Sequence, residues 1–159
     1  MLVNLDISDN NIKLDGGQIM GSILSTNSSL VYLNISQNFL GDDGGKLLLE
    51  GLKPNETLQN LKIASNSLAS KSMTSLSRVI EATENEVCKS NLEEVDLCSN
   101  DFSDADIVKL AKAVQKNDKL LALDFRCQAG VSTQSLLVQS AIESIEKNLV
   151  KNNQIHKVR

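Results

Sequence analysis

Three carboxylates come nearest to reactive chemistry in this chain. Glu94 and Asp96 stand two residues apart, so an extended segment puts them on one side of a strand, with Asp124 nearby on the next. Paired carboxylates can serve as general acid and general base. That role needs burial or close like-charge contact to drive their pKa values apart, and an open sheet face supplies neither. The single histidine, His156, lies in the polar, basic stretch KNNQIHKVR, with no nucleophile arranged around it. Cys88, Cys98 and Cys127 form no C-x-x-C pair. The pairs Gly16-Gly17 and Gly44-Gly45 precede helical segments, as a phosphate-binding loop would, but lack the G-x-x-x-x-G-K-[ST] pattern. No catalytic residue, metal site or cofactor is expected, and the chain is read as a non-enzyme.

Each of these residues occupies a fixed place in a recurring line. Leu30 to Leu40, LVYLNISQNFL, reads L-x-x-L-x-L-x-x-N-x-L, and the line starts again at Leu2, Leu58, Leu92 and Leu120. Alternation at places three to seven predicts a short strand with one buried face. The period then turns helical: place nineteen holds Met20, Leu48, Leu76, Leu110 and Val138, and place twenty-three holds Leu24, Leu52, Ile80, Val114 and Ile142. One strand and one helix bury too little to be stable alone, so these columns require stacked copies. Place thirteen holds Asp42, Ser70, Asp104 and Ser132, read as helix N-caps, and Asp15 with Gln18 reads as a capping box.

Place nine is an asparagine column, Asn10, Asn38, Asn66 and Asn100, with Gln128 in the last copy. These side chains are expected to turn inward and bond backbone groups that the turn leaves unpaired. Replacing Asn38 with Ala should then cost about 1–3 kcal/mol. Fixed-period self-similarity of this kind, with a full helix after each strand, resembles the ribonuclease-inhibitor-like class of leucine-rich repeats. The tropomodulin C-terminal domain and axonemal leucine-rich-repeat proteins are similar in repeat number or setting. The resemblance implies an α/β solenoid, a right-handed horseshoe arc with a parallel sheet on the concave face and helices outside.

Residues 1–152 are read as one leucine-rich-repeat domain of five repeats. The third copy carries an insertion at about residues 83–91, a candidate contact loop. A capping helix over about 132–152 is expected to cover the last open face, followed by a basic tail at 153–159. The first repeat has nothing stacked before it, and the chain is therefore read as the C-terminal piece of a longer protein. Self-association through that uncapped end is the alternative. The sequons at Asn27, Asn34 and Asn55 are read as chance.

Function follows from the concave face. Alternation points Tyr32, Asn34, Asn60, Lys62, Glu94, Asp96, Asp124 and Arg126 outward, and these are the candidate protein-binding residues. Tyr32 and Arg126 are of the types that most often dominate interfaces. The carboxylates in the second half favour a partner with a basic segment. A net charge of −4 speaks against nucleic acid or an anionic membrane as the main partner. Odd, unpaired cysteines suit a reduced, intracellular setting. The expected function is a scaffolding or regulatory protein-interaction module, with a cytoskeletal or axonemal structural component as the alternative. A GTPase activator is implied more weakly by the resemblance, since no residue here can be given its catalytic part.

Overall fold

The computed structural model describes residues 1–81, 88–132 and 134–158. Ten elements alternate: β1 (Asn4–Asp6), α1 (Leu14–Thr26), β2 (Tyr32–Asn34), α2 (Gly41–Glu50), β3 (Asn60–Lys62), α3 (Ser70–Glu81), β4 (Glu94–Asp96), α4 (Asp104–Val114), β5 (Ala122–Asp124) and α5 (Leu136–Val158). The strands form one parallel sheet in chain order, β1-β2-β3-β4-β5. The register aligns Leu5, Leu33, Leu61, Val95 and Leu123 across it. Each helix packs on the helices before and after it. The chain is an α/β leucine-rich-repeat solenoid.

Stacking makes the core. Leu33, Ile35, Leu61, Ile63, Val95 and Leu97 from the strands meet Leu48, Leu52, Leu76, Ile80, Leu110 and Val114 from the helices, all buried. Burying one such side chain contributes about 1.5–3 kcal/mol, so three interior repeats carry most of the stability. Of their equivalents in the outer repeats, Leu24 and Val138 are buried, whereas Leu5, Ile7, Met20, Leu123, Phe125 and Ile142 are only partly covered.

The turn after each strand shows why place nine is asparagine. Place eight adopts a left-handed backbone in all five repeats: Asp9, Gln37, Ser65, Ser99 and Cys127 have φ between 52° and 58°. None is glycine, so the conformation must be held from outside. The next side chain holds it. Asn66 Nδ2 donates to the carbonyls of Ile35, Ile63 and Ala64, and its Oδ1 accepts the Leu40 N–H. Asn38 bonds Ile7, Ile35 and Ser36 carbonyls and the Ile12 N–H. Asn100 bonds Ile63, Leu97 and Cys98 carbonyls and the N–H groups of Asn66 and Leu68. Asn10 reaches only Ile7 and Ser8, in its own repeat. Gln128 spans Leu97, Phe125 and Arg126 with Nε2, but its longer side chain leaves Oε1 buried without a partner.

A second amide column lies three residues before the leucine lines that start at Leu30, Leu58 and Leu120. Asn55 donates to the Leu24 and Asn27 carbonyls and accepts from the Thr57 and Leu58 N–H groups. Asn27 and Asn117 accept from the corresponding N–H groups of their own turns. Asn27 and Asn55, read from sequence as chance sequons, are thus turn residues, and Asn55 is 2% exposed.

Several expectations about helix ends are corrected. Asp15 lies inside α1, whose N-cap position is Lys13, with no side-chain cap. Asp42 sits in the first turn of α2 and serves the next helix instead: it accepts the N–H groups of Ala69, Lys71 and Ser72 at the start of α3. Asp104 likewise accepts the Ser132 N–H one repeat on. The N-cap of α4 is Ser103, whose N–H and hydroxyl donate to buried Asp106. Stacking places the neighbour's helix terminus within reach of a carboxylate, and unpaired terminal N–H groups attract it.

Asp42 makes a testable consequence. Burial raises its carboxyl pKa, but the N–H groups of Ser72, Lys71 and Ala69 outweigh that and hold it below the ordinary value. The stabilisation is therefore complete above the unfolded pKa near 4 and is lost as pH falls through the lower folded value. Asp42→Ala should cost about 1 kcal/mol at pH 7. Urea titrations of both proteins should show that difference shrinking at pH values below about 4.

The last helix begins at Leu136, not Ser132, and continues to Val158 through the segment read as a tail. The bridge between Ser103 and Gly130 keeps the chain extended before it. Near its end, Asn152 donates to the Asn117 and Leu120 carbonyls and Asn153 to the Leu121 carbonyl, fastening the helix to the segment that leads into β5. The expected insertion falls largely on residues 82–87, outside the described residues.

Candidate functional site: the concave face and the cleft at its C-terminal edge

The sheet register puts the candidate residues in rows. Tyr32 aligns with Asn60 and Glu94, and Asn34 with Lys62, Asp96 and Asp124. Tyr32 and Lys62 meet on this surface, with the ammonium 5.8 Å from the ring centroid. Asn34 donates to Asp6 across the first two strands.

The place-five side chains also support the turn. Asn34, Asp96 and Asp124 accept the N–H two residues on, from Ser36, Cys98 and Arg126. Asp6 does the same for Ser8, whose hydroxyl and N–H, with Asn34, hold its carboxyl below the usual range. The acidic column is thus partly structural, which the sequence pattern alone did not separate from a binding role. A carboxylate keeps lone pairs free after one such bond.

Arg126 grips Asp124 with Nε at 2.9 Å and a terminal nitrogen at 2.5 Å. That pairing holds the Asp124 carboxyl well below the carboxylate range and raises the guanidinium further. Cys98 lies between Asp96 and Asp124, and ligand atoms of the three residues fall within 4.8 Å of one another. Burial, then the neighbouring carboxylates, push the Cys98 thiol up to about 12. A protonated thiol and an arginine-bound carboxylate make this a hydrogen-bonded cluster rather than a nucleophile or a poised acid–base pair. Glu94 is exposed at the next row, and His156 is exposed on α5, remote in sequence from all three. The described residues Cys88, Cys98 and Cys127 are free thiols.

The feature that sequence reasoning missed is a cleft of about 710 Å³ at the last repeat. Asn60, Lys62, Glu94, Asp96, Asp124 and Arg126 all line it, so six of the eight candidate residues belong to one depression. Its other wall is apolar, built from Leu123, Phe125, Val131, Ile142 and Leu149. Interior repeats cover such residues with the next copy. Here α5 packs beside α4 and bonds the Leu120 and Leu121 carbonyls just before β5 through Asn152 and Asn153, and among the described residues no strand lies along the far edge of β5. The signal was present in the sequence, because places four and six of the fifth copy, Leu123 and Phe125, are apolar and the stretch after them does not repeat the leucine line. Tyr32 and Asn34 lie outside the cleft, toward the N-terminal half.

Among the described residues no helix is long and apolar enough to cross a membrane. A family model described as "Leucine Rich repeat" matches residues 26–49 and 88–111. No curated protein matches the chain significantly. Among solved structures, one titled leiomodin-1 Actin-Binding Site 2 superposes with a TM-score of 0.74 at 16% identity, over 97% of this chain and 84% of that one. The tropomodulin C-terminal domain of Caenorhabditis elegans gives 0.49 at 13% identity, over 99% and 88%. The first likeness establishes a shared fold, and the second is too distant to carry an argument.

Proposed function

We propose that this chain, folded as a leucine-rich-repeat solenoid, is a non-catalytic protein-interaction module that recognises its partner with the C-terminal half of the concave face and the cleft beside it. One observation carries the reading: six outward residues placed by sequence alternation line the same depression as the half-buried apolar wall. Apolar surface beside a few placed polar groups is the usual make-up of a recognition site. Four carboxylates, Glu94, Asp96, Asp124 and Glu146, line it against Lys62 and Arg126. Asp124 already neutralises Arg126, so the remaining field favours a partner with a basic segment. Scaffolding or regulation inside the cell fits this face, as do the free thiols.

The test is an unbiased selection of displayed peptides on the purified chain, followed by affinity measurement on the double variant Glu94→Lys, Asp96→Lys. Selected peptides should be rich in Lys and Arg and should bind the variant at least about tenfold more weakly. Peptides without basic enrichment that bind both proteins equally would place recognition elsewhere.

A second reading has one observation in its favour, the superposition on a structure whose title names actin binding. On this reading the module is a component of an actin-containing assembly. Co-sedimentation with actin filaments at increasing salt tests it, and a chain left wholly in the supernatant at low salt would end it.

A further inference from the structure

We propose that the occupant of the cleft is an extended protein segment, alternating apolar and basic residues, that adds to the sheet as a sixth strand along β5. This rests on the interaction reading above and names its partner's conformation. In every earlier repeat, two N–H groups after the strand donate to the next copy: Ile7 to Asn34 and Asp9 to Ser36, Ile35 to Lys62 and Gln37 to Ala64, Ile63 to Asp96 and Ser65 to Cys98, Leu97 to Asp124 and Ser99 to Arg126. The equivalent groups in the fifth repeat are the N–H groups of Phe125 and Cys127. Among the described residues neither has an acceptor. The Leu121 carbonyl farther back is already taken by Asn153, which confines the open edge to the stretch from Leu123 onward.

An edge with unpaired, aligned N–H groups is a template for another strand. What distinguishes this one is that the two sides of an added strand would meet opposite chemistries. Its inward side chains would enter the apolar part of the cleft, against Leu123, Phe125, Ile142 and Leu149. Its outward side chains would join the concave face beside Asp124, Asp96 and Glu94, one strand or two away. Side chains alternate along a strand, so a segment of period two satisfies both sides at once. A helix would present an apolar stripe of period 3.6 and leave both N–H groups unpaired.

Three fluorescent peptides of about seven residues, near the usual strand length, test this on the purified chain. One alternates valine and lysine, one carries the same residues in helical spacing, and one is the alternating peptide with alternate backbone nitrogens methylated. The alternating peptide should bind, and methylation should weaken it at least about tenfold. Phe125→Glu, checked for unchanged circular dichroism, should lose it. Hydrogen exchange at the Phe125 and Cys127 amides should slow when the alternating peptide is bound.

If the helically spaced peptide binds more tightly, or methylation changes nothing, while Phe125→Glu still loses binding, strand addition is wrong and the cleft reading stands. If no peptide responds to Phe125→Glu, both readings fail. Protection of the two amides in a concentration-dependent dimer without peptide would make a second copy the occupant and overturn the proposal.

Discussion

Asn100→Ala should lower stability by about 3–5 kcal/mol, the upper range for a single substitution. The side chain is 2% exposed and makes five bonds in two directions, to the carbonyls of Ile63, Leu97 and Cys98 and from the N–H groups of Asn66 and Leu68. Alanine leaves the buried Asn66 and Leu68 N–H groups without their acceptor, while the Ile63, Leu97 and Cys98 carbonyls keep Asn66 Nδ2, Gln128 Nε2 and the Ser65 N–H. Each unmade bond of that kind costs about 1–3 kcal/mol, with partial relief where another donor can shift. The left-handed Ser99 beside it also loses its support. Urea denaturation should place Asn38→Ala next, since it makes four bonds, and Asn10→Ala last, since its amide is exposed and bonds only its own repeat. Equal, small losses at all three positions would mean that the turn does not depend on the column.

Gly51→Leu should cost about 3 kcal/mol or more by forcing α1 away from α2. A Cβ at Gly51 would collide with the backbone carbonyl of Gly21, and a Cβ at Gly21 with that of Leu47. Backbone cannot yield as a flexible side chain can. Among the described helices α1 packs on α2 alone, so separation there loosens it locally rather than distributing strain. Hydrogen exchange should show α1 amides losing protection before those of α3 and α4. Unchanged exchange in α1 would show that the helices can slide apart freely.

The sheet and helix columns were legible because they are periodic in one residue type. Leucine at places four and six, and apolar residues at places nineteen and twenty-three, can be satisfied in only one way when copies stack. The amide columns differ in how readable they were. Asn38, Asn66 and Asn100 stand in the leucine line itself, whereas Asn27 and Asn55, just before it, passed as chance sequons and Asn117 drew no reading. Helix caps were misread because local rules assume a carboxylate serves its own helix. Asp42 and Asp104 serve the next repeat, and no within-repeat pattern encodes that.

The site was half legible. Alternation placed Lys62, Glu94, Asp96, Asp124 and Arg126 on one face, but could not say that Asp96 and Asp124 also brace their turns. Nor could it find the apolar wall, because Phe125 and Ile142 read as core in every repeat but the last. Their partial exposure follows from α5 running alongside α4 instead of crossing the end of the stack.

The central claim is that one continuous surface, from Lys62 across β5 to the inner side of α5, does the recognising. Amide chemical-shift mapping of the labelled chain, titrated with a selected basic peptide, tests it most directly. The account predicts perturbations confined to residues 60–62, 94–98, 122–128 and the segment of α5 around Ile142 to Leu149. Perturbations concentrated on the outer faces of α1 to α3, with the β5 amides unmoved, would contradict it.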